Sequence, residues 1–428
     1  MTERQREHDG TALPTSRYAA LTRGQLAILV PELLLAGHLI DRSGMAWCIS
    51  AFGRDEMLQI AIEEWAGASP IYTRRMQRAL GFAPAVEGQG DVVTIFKGIQ
   101  LEIGAPPQFL DFRYTVHDPH HGEFHLDHCG ALMDVEPMGE EYVQGMCHDI
   151  EDPTFDATAV ASNPKAQVRP IHRPPRVPAG RTPACAWTVI IDDSHPAAEP
   201  IPAVAVNSAS RAAKVELAPI DQSDQGVGDY SGPLLSDLDF AAFSRSALIR
   251  IADEVCLQMA LLDNSFVLAL EARAATPEQA LDIRRKQTTG SAAMSAYRIA
   301  RALDVPKDEQ GALQLLALHP MLNPSAYVTA ELDDTLVVRP SPAHDDDAWI
   351  SLCGPGWYEP LQAVVRVLDP HLDVEVEPLA DDEWVLTVVR RDEPAPEAQE
   401  LVIAKFSTGT DFAFEGRRAI PITPVQEF

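Results

Sequence analysis

The chain has 428 residues, 46% apolar and 23% charged, long enough for two domains of ordinary size, each with its own core. Acidic residues outnumber basic ones by 63 to 34, and the net charge of −29 repels phosphate backbones and anionic lipid. Nucleic acid and membrane surfaces are therefore excluded as partners.

Leu26–Ile40 is the longest apolar stretch, but it contains Pro31, Glu32 and His38 and is too short for a bilayer span. The first ten residues hold no apolar signal core, and the six cysteines are spaced irregularly rather than as a disulfide framework, so a cytoplasmic protein is expected.

Residues 1–17 are polar and read as a disordered tail. From Leu21 to Leu80 the spacing is helical. Leu26, Val30, Leu33 and Leu34 mark one helix, a second runs from about Asp55 through Trp65, and a third covers Pro70–Leu80. A short helix is expected over Val93–Leu101. Phe109–Asp118 and Glu123–Cys129 then alternate apolar and polar residues on either side of a turn-forming Asp-Pro-His-His-Gly, a β-hairpin. A helix over roughly Gly139–Ile150, a proline-rich loop over 170–183 and a strand over Cys185–Asp192 complete this half. Residues 221–236, rich in Asp, Ser, Gly and Gln, read as a linker.

Leu21–Gly44 aligns without a gap on Phe243–Phe266, placing Arg23 on Arg245 and Asp41 on Asp263, 222 positions later. The register persists with small shifts through Arg78/Arg301, Cys129/Cys353, Glu136/Glu359, Asp152/Asp369 and Trp187/Trp384. The second half accordingly predicts helices over Ala247–Leu262, Pro277–Lys286 and Ala292–Leu303. Its hairpin is expected in the stretches 327–340 and 345–354, with a strand over Glu383–Arg390. The expected fold class is α+β: two tandem homologous modules, 18–220 and 237–428, each of helices plus a mainly antiparallel sheet, arranged as an internal pseudo-dimer.

Seven of the 13 histidines fall between residues 117 and 172, a stretch that also carries Cys129 and Cys147. On a regular strand the period of two places Glu123, His125, Asp127 and Cys129 on one face. The following helix brings Cys147, His148 and Asp149, with Cys147 on its apolar stripe. By alignment the second half replaces His125 with Trp349, Asp127 with Ser351, His128 with Leu352, and Cys147-His148-Asp149 with Val364-Val365-Arg366. Glu63 and Glu64 become Lys286 and Gln287. The chemistry is thus expected in the first half alone.

Two chemistries fit. In one, a Cys147 or Cys129 thiolate attacks a carbonyl or amidine carbon, with His125 or His148 as base and Asp127 or Asp149 orienting it. In the other, zinc or iron is held by ligands drawn from His121, His125, Cys129, Cys147, His148 and Cys185. No glycine-rich phosphate loop is present, so no nucleotide cofactor is expected.

The order of the segments carrying Glu63/Glu64, Pro70-Ile71-Tyr72, Cys129, Cys147 with Asp149, Asn163-Pro164 and Cys185 resembles the L-2-amino-thiazoline-4-carboxylic acid hydrolase-like family over about residues 55–192. Gly130 stands where that family usually has proline, and the acid after Cys147 is displaced. The resemblance implies hydrolysis of a C–N bond in a small cyclic or amide-like substrate. The alternative is a non-catalytic small-ligand or metal sensor with structural zinc ligands. A small-molecule partner is expected in either case, with homo-oligomerisation left open.

Overall fold

The computed structural model describes residues 13–414 and 421–425. Thr22 forms a capping box with Gln25 at the start of α1 (Arg23–His38), and α2 (Ile40–Phe52) ends at Gly53, whose φ of 85° suits a residue without a side chain. α3 (Arg54–Ala79) runs unbroken through Pro70, where two helices were expected. Residues on both sides of Pro70 are buried, and that packing outweighs one lost backbone bond. Asp91 caps α4 (Val92–Ile99).

The expected hairpin follows as β1 (Leu110–Asp118) and β2 (His121–Cys129). Next come α5 (Gly130–Val135), α6 (Glu140–Gln144), a π-helical turn over Gly145–Ile150 and α7 (Glu151–Val160). β3 (Ala166–His172), β4 (Ala186–Ile191), α8 (Pro202–Ser208) and α9 (Arg211–Lys214) end the first half.

The second half opens with two long helices, α10 (Arg245–Glu271) and α11 (Pro277–Leu303). It continues with α12 (Glu309–Leu318), β5 (Ala330–Leu332), β6 (Leu336–Val338), α13 (Pro342–Asp345) and α14 (Glu359–Arg366). β7 (Leu372–Pro378), β8 (Trp384–Arg390), α15 (Gln399–Ala404) and α16 (Thr408–Asp411) complete it.

The protein is α+β, with two antiparallel four-stranded sheets ordered β1-β2-β4-β3 and β5-β6-β8-β7. The edge strands β3 and β7 were not anticipated. Pro170 disguised β3, and proline is tolerated there because an edge strand leaves one side unpaired. The second hairpin lies wholly within 330–338. Trp349–Leu352 form a 3₁₀ turn instead of the expected strand, so pairing His125 with Trp349, Asp127 with Ser351 and His128 with Leu352 does not hold. The apolar run Trp349-Ile350 lacks the alternation that a half-buried strand needs.

The two expected cores are one. A single apolar cluster runs from Leu26 and Leu33 of α1 to Leu248 and Met259 of α10 and Leu316 of α12. α10 lies on α1 and α3, while α11 lies on α1 and α2. Arg23–Phe52 is long and apolar enough to cross a bilayer by composition, yet 72% of its most apolar window is buried inside the protein. Of the expected tail, residues 1–12 lie outside the described residues, but Arg17 donates to the Leu322, Val328 and Ala330 carbonyls. The expected linker is packed as well: Tyr230 is buried and its hydroxyl donates to Gln100 Oε1 at 2.7 Å.

Contacts between the halves come in reciprocal pairs. Arg23 Nε donates to the Phe243 carbonyl, and Arg245 Nε to the Leu21 carbonyl. Gly67 faces Ser265, and Gly290 faces Ser43. Asp346 accepts from the Arg211 and Ala212 amides at the start of α9, and Asp134 from the Ser407 hydroxyl and Thr408 amide at the start of α16.

Candidate functional site

The histidine-rich strand β2 is not regular. Phe112 pairs with Leu126 and Asp111 with His128, which leaves Asp127 as an extra residue, a β-bulge. Glu123, His125 and Asp127 do share the outer face. The extra residue reverses the alternation, however, so Cys129, opposite Leu110, turns to the inner face with Leu126. The expected row of acid, imidazole, acid and thiol is thereby split.

On the outer face His125 Nε2 lies 3.3 Å from Asp127 Oδ1, and Arg113 Nε lies 3.3 Å from Asp127 Oδ2, all partly exposed to solvent. Cys147, His148 and Asp149 fall in the π-helical turn just before Pro153, a residue with no amide hydrogen to continue the ladder. Cys147 points inward as expected, while Asp149 is exposed. His148 Nε2 meets the Pro174 carbonyl at 2.7 Å.

Cys129 packs against Cys147, and Cys185 is near enough to act electrostatically on both. All six cysteines are free. Burial pushes the Cys129 and Cys147 thiols far above their ordinary range, and Glu151 adds to the effect at both; burial takes Cys185 up to about 11. The Cys129 sulfur accepts the Leu132 amide at 3.3 Å as a helix cap. Burial therefore favours the protonated form of all three thiols. The ligating atoms of His121, His125, Cys129, Cys147, His148 and Cys185 do not converge as a set. Among the described residues the atoms that converge are those of His117, His121 and Glu123.

Inside the first half, a cavity of about 80 Å³ opens between α1, α3, the inner face of the sheet and the start of α7. His38, Asp41, Arg42, Glu102, Cys129 and Glu151 are among its polar lining residues. Arg42 Nη1 lies 2.6 Å from both Asp41 oxygens, and Trp65 Nε1 donates to Asp41 at 3.4 Å. Behind them, Glu64 is fully buried and neither of its oxygens has a hydrogen-bond partner.

Burial dominates the titration of the carboxyl groups and the imidazole here. It lifts Glu102 to about 8, against the hydroxyls of Thr73 and Thr158, and Glu151 to about 7, against Arg42. Asp41 and Glu64 are also raised by burial. The His38 imidazole is pushed down to about 3 by burial and by Arg42, so it is neutral.

Sequence reasoning passed over His38, Asp41, Arg42 and Glu102 because they sit in apolar stretches. Their signal was that same isolation: a charged side chain in a buried helix needs a reason.

Across the 222-residue offset the second half has Ala260 for His38, Asp263 for Asp41 and Asn264 for Arg42. The space beside Asp263 is only about 10 Å³ and mostly apolar. The end of the other half packs near Arg42. Arg42 Nε approaches Asp134 at 3.7 Å, Asp134 holds Ser407 and Thr408, and Phe412 stacks on His128 and meets Phe109 edge-on.

No family model, curated protein or solved structure matches this chain.

Proposed function

We propose that the first-half cavity is the active site of a hydrolase that cleaves a C–N bond in a small amidine- or amide-like substrate. Buried carboxyl groups, rather than a thiolate, move the protons. The observation that carries this reading is the pair of glutamates lining the cavity, Glu102 raised to about 8 and Glu151 to about 7. Carboxyl groups tuned into this range are half-ionised near neutral pH, where general acid–base catalysis is most efficient.

In the proposed step a water oxygen bonds to the substrate carbon while Glu151 carboxylate takes the water proton. The C–N bond breaks, and the proton on Glu102 passes to the departing nitrogen. The cavity volume of about 80 Å³ limits the substrate to a few heavy atoms. The family resemblance over residues 55–192 points to the same bond type.

We also infer that the fold is a tandem duplication folded as an internal pseudo-dimer, only one half of which kept the polar cavity. The common strand order and the reciprocal contacts of Arg23 with Phe243 and Arg245 with Leu21 support this.

The test is ammonia or amine release from a panel of small amidines and cyclic amides. Glu151→Gln should lower turnover by roughly 10²- to 10⁴-fold with circular dichroism unchanged. Full turnover in Glu151→Gln, together with its loss in Cys147→Ala, would return the chemistry to the thiol.

A further inference from the structure

The tip of the β1–β2 hairpin, on the outer face of the sheet, gathers His117 from β1 with His121 and Glu123 from β2. One ligating atom from each lies within 4.8 Å of the other two. His117 Nε2 is 3.3 Å from Glu123 Oε1, and the two imidazole centroids are 4.5 Å apart. We propose that this hairpin binds one zinc-class divalent ion through His117, His121 and Glu123, with water in the open position.

Two imidazoles and one carboxylate, leaving a position for water, is a donor set that suits zinc. The strand register builds it. Val116 pairs with Gly122 and Asp118 with His121, so His117 is the extra residue of a second bulge on the same hairpin. Gly122, between the two β2 ligands, lies flat on α4, since a Cβ there would come within 2.7 Å of the Phe96 ring. That contact turns His121 and Glu123 outward. The turn is pinned on both sides: Asp118 Oδ1 accepts the His120 amide at 2.8 Å, and the His120 carbonyl accepts the Ile191 amide at 2.8 Å. A ligand set on a pinned turn loses little freedom on binding. The chain's net charge of −29 also raises the local cation concentration.

The experiment is calorimetric titration of the full chain with Zn²⁺, and with Co²⁺ followed by visible absorption. One equivalent should bind, with no thiolate-to-cobalt charge-transfer band. His121→Ala and Glu123→Gln should each weaken binding roughly tenfold or more, while His120→Ala leaves it unchanged. Because these side chains are at least partly exposed, the variants should melt with the parent in EDTA, which separates lost ligation from lost fold. No binding would overturn the proposal. So would binding retained in the His117→Ala/His121→Ala double variant, or a charge-transfer band placing the ion on Cys129, Cys147 and Cys185. The hairpin ion is independent of the cavity, and loss of hydrolysis would leave it standing.

Discussion

Arg75 on α3 pairs with Glu254 on α10, Nε to Oε2 at 2.9 Å, with both side chains buried. The counterpart is Arg298 on α11, which pairs with Glu32 on α1. Each arginine also holds the end segment of one half: Arg75 donates to the Ala213 and Val215 carbonyls, and Arg298 to those of Gly409, Thr410 and Phe412. Removing one partner of a buried pair strands the other charge. Arg298→Met should therefore cost about 3–5 kcal/mol in urea unfolding. Replacing both members, Glu32→Leu with Arg298→Met, should recover much of that loss.

Glu102 makes stability depend on pH in a stated direction. The unfolded chain holds it near the ordinary 4.5 and the native chain near 8, because burial outweighs its hydroxyl partners. Between those values the native state keeps a proton that the unfolded state releases. Its stabilisation is whole below about 4.5 and is lost as pH rises through 8. Glu102→Gln should remove that slope and exceed the parent at pH 8 by on the order of a few kcal/mol. Parallel pH–stability curves for parent and variant would contradict this.

Native Cys129 and Cys147 should resist alkylation at pH 8, since burial keeps both thiols protonated and covered. Labelling followed by peptide mapping should find them modified only after unfolding. Rapid native labelling of Cys147 would contradict the account of the site.

Asp134 ties the two halves together by accepting from Ser407 Oγ at 2.5 Å and the Thr408 amide at 2.6 Å. Asp134→Ala removes the acceptor of the Thr408 amide at the start of α16 and a neighbour of Arg42, and should cost about 1–2 kcal/mol. Amide exchange should accelerate over 407–412. Unchanged exchange there would show that Arg298 alone retains the segment.

Gly130 leaves room for the buried Phe109 ring, because a Cβ on it would fall 2.1 Å from Phe109 Cε2. Gly130→Ala should therefore destabilise by about 1–3 kcal/mol through overpacking, read as a lower melting temperature.

The first helix, the hairpin and the strand around Trp187 were legible because their apolar residues recur with the period of the element they form. Continuous α3 was not, because Pro70 is a local stop signal that only burial on both sides overrides. Of the site, Cys147 facing inward and Glu64 as a residue of interest were legible from pattern and from comparison of the halves. The shift of Cys129 to the inner face was not, because a one-residue bulge leaves no mark on composition.

Periodicity and repetition along the chain were thus enough to determine an α+β protein of helices and antiparallel strands. Which polar groups meet was decided only by tertiary structure. His38 with Asp41, Glu102 and Glu151 come from three separate stretches, and the helices and sheet that bring them together also bury them. Burial is what moves their proton affinities, and it is a property of the packed assembly that no segment carries alone.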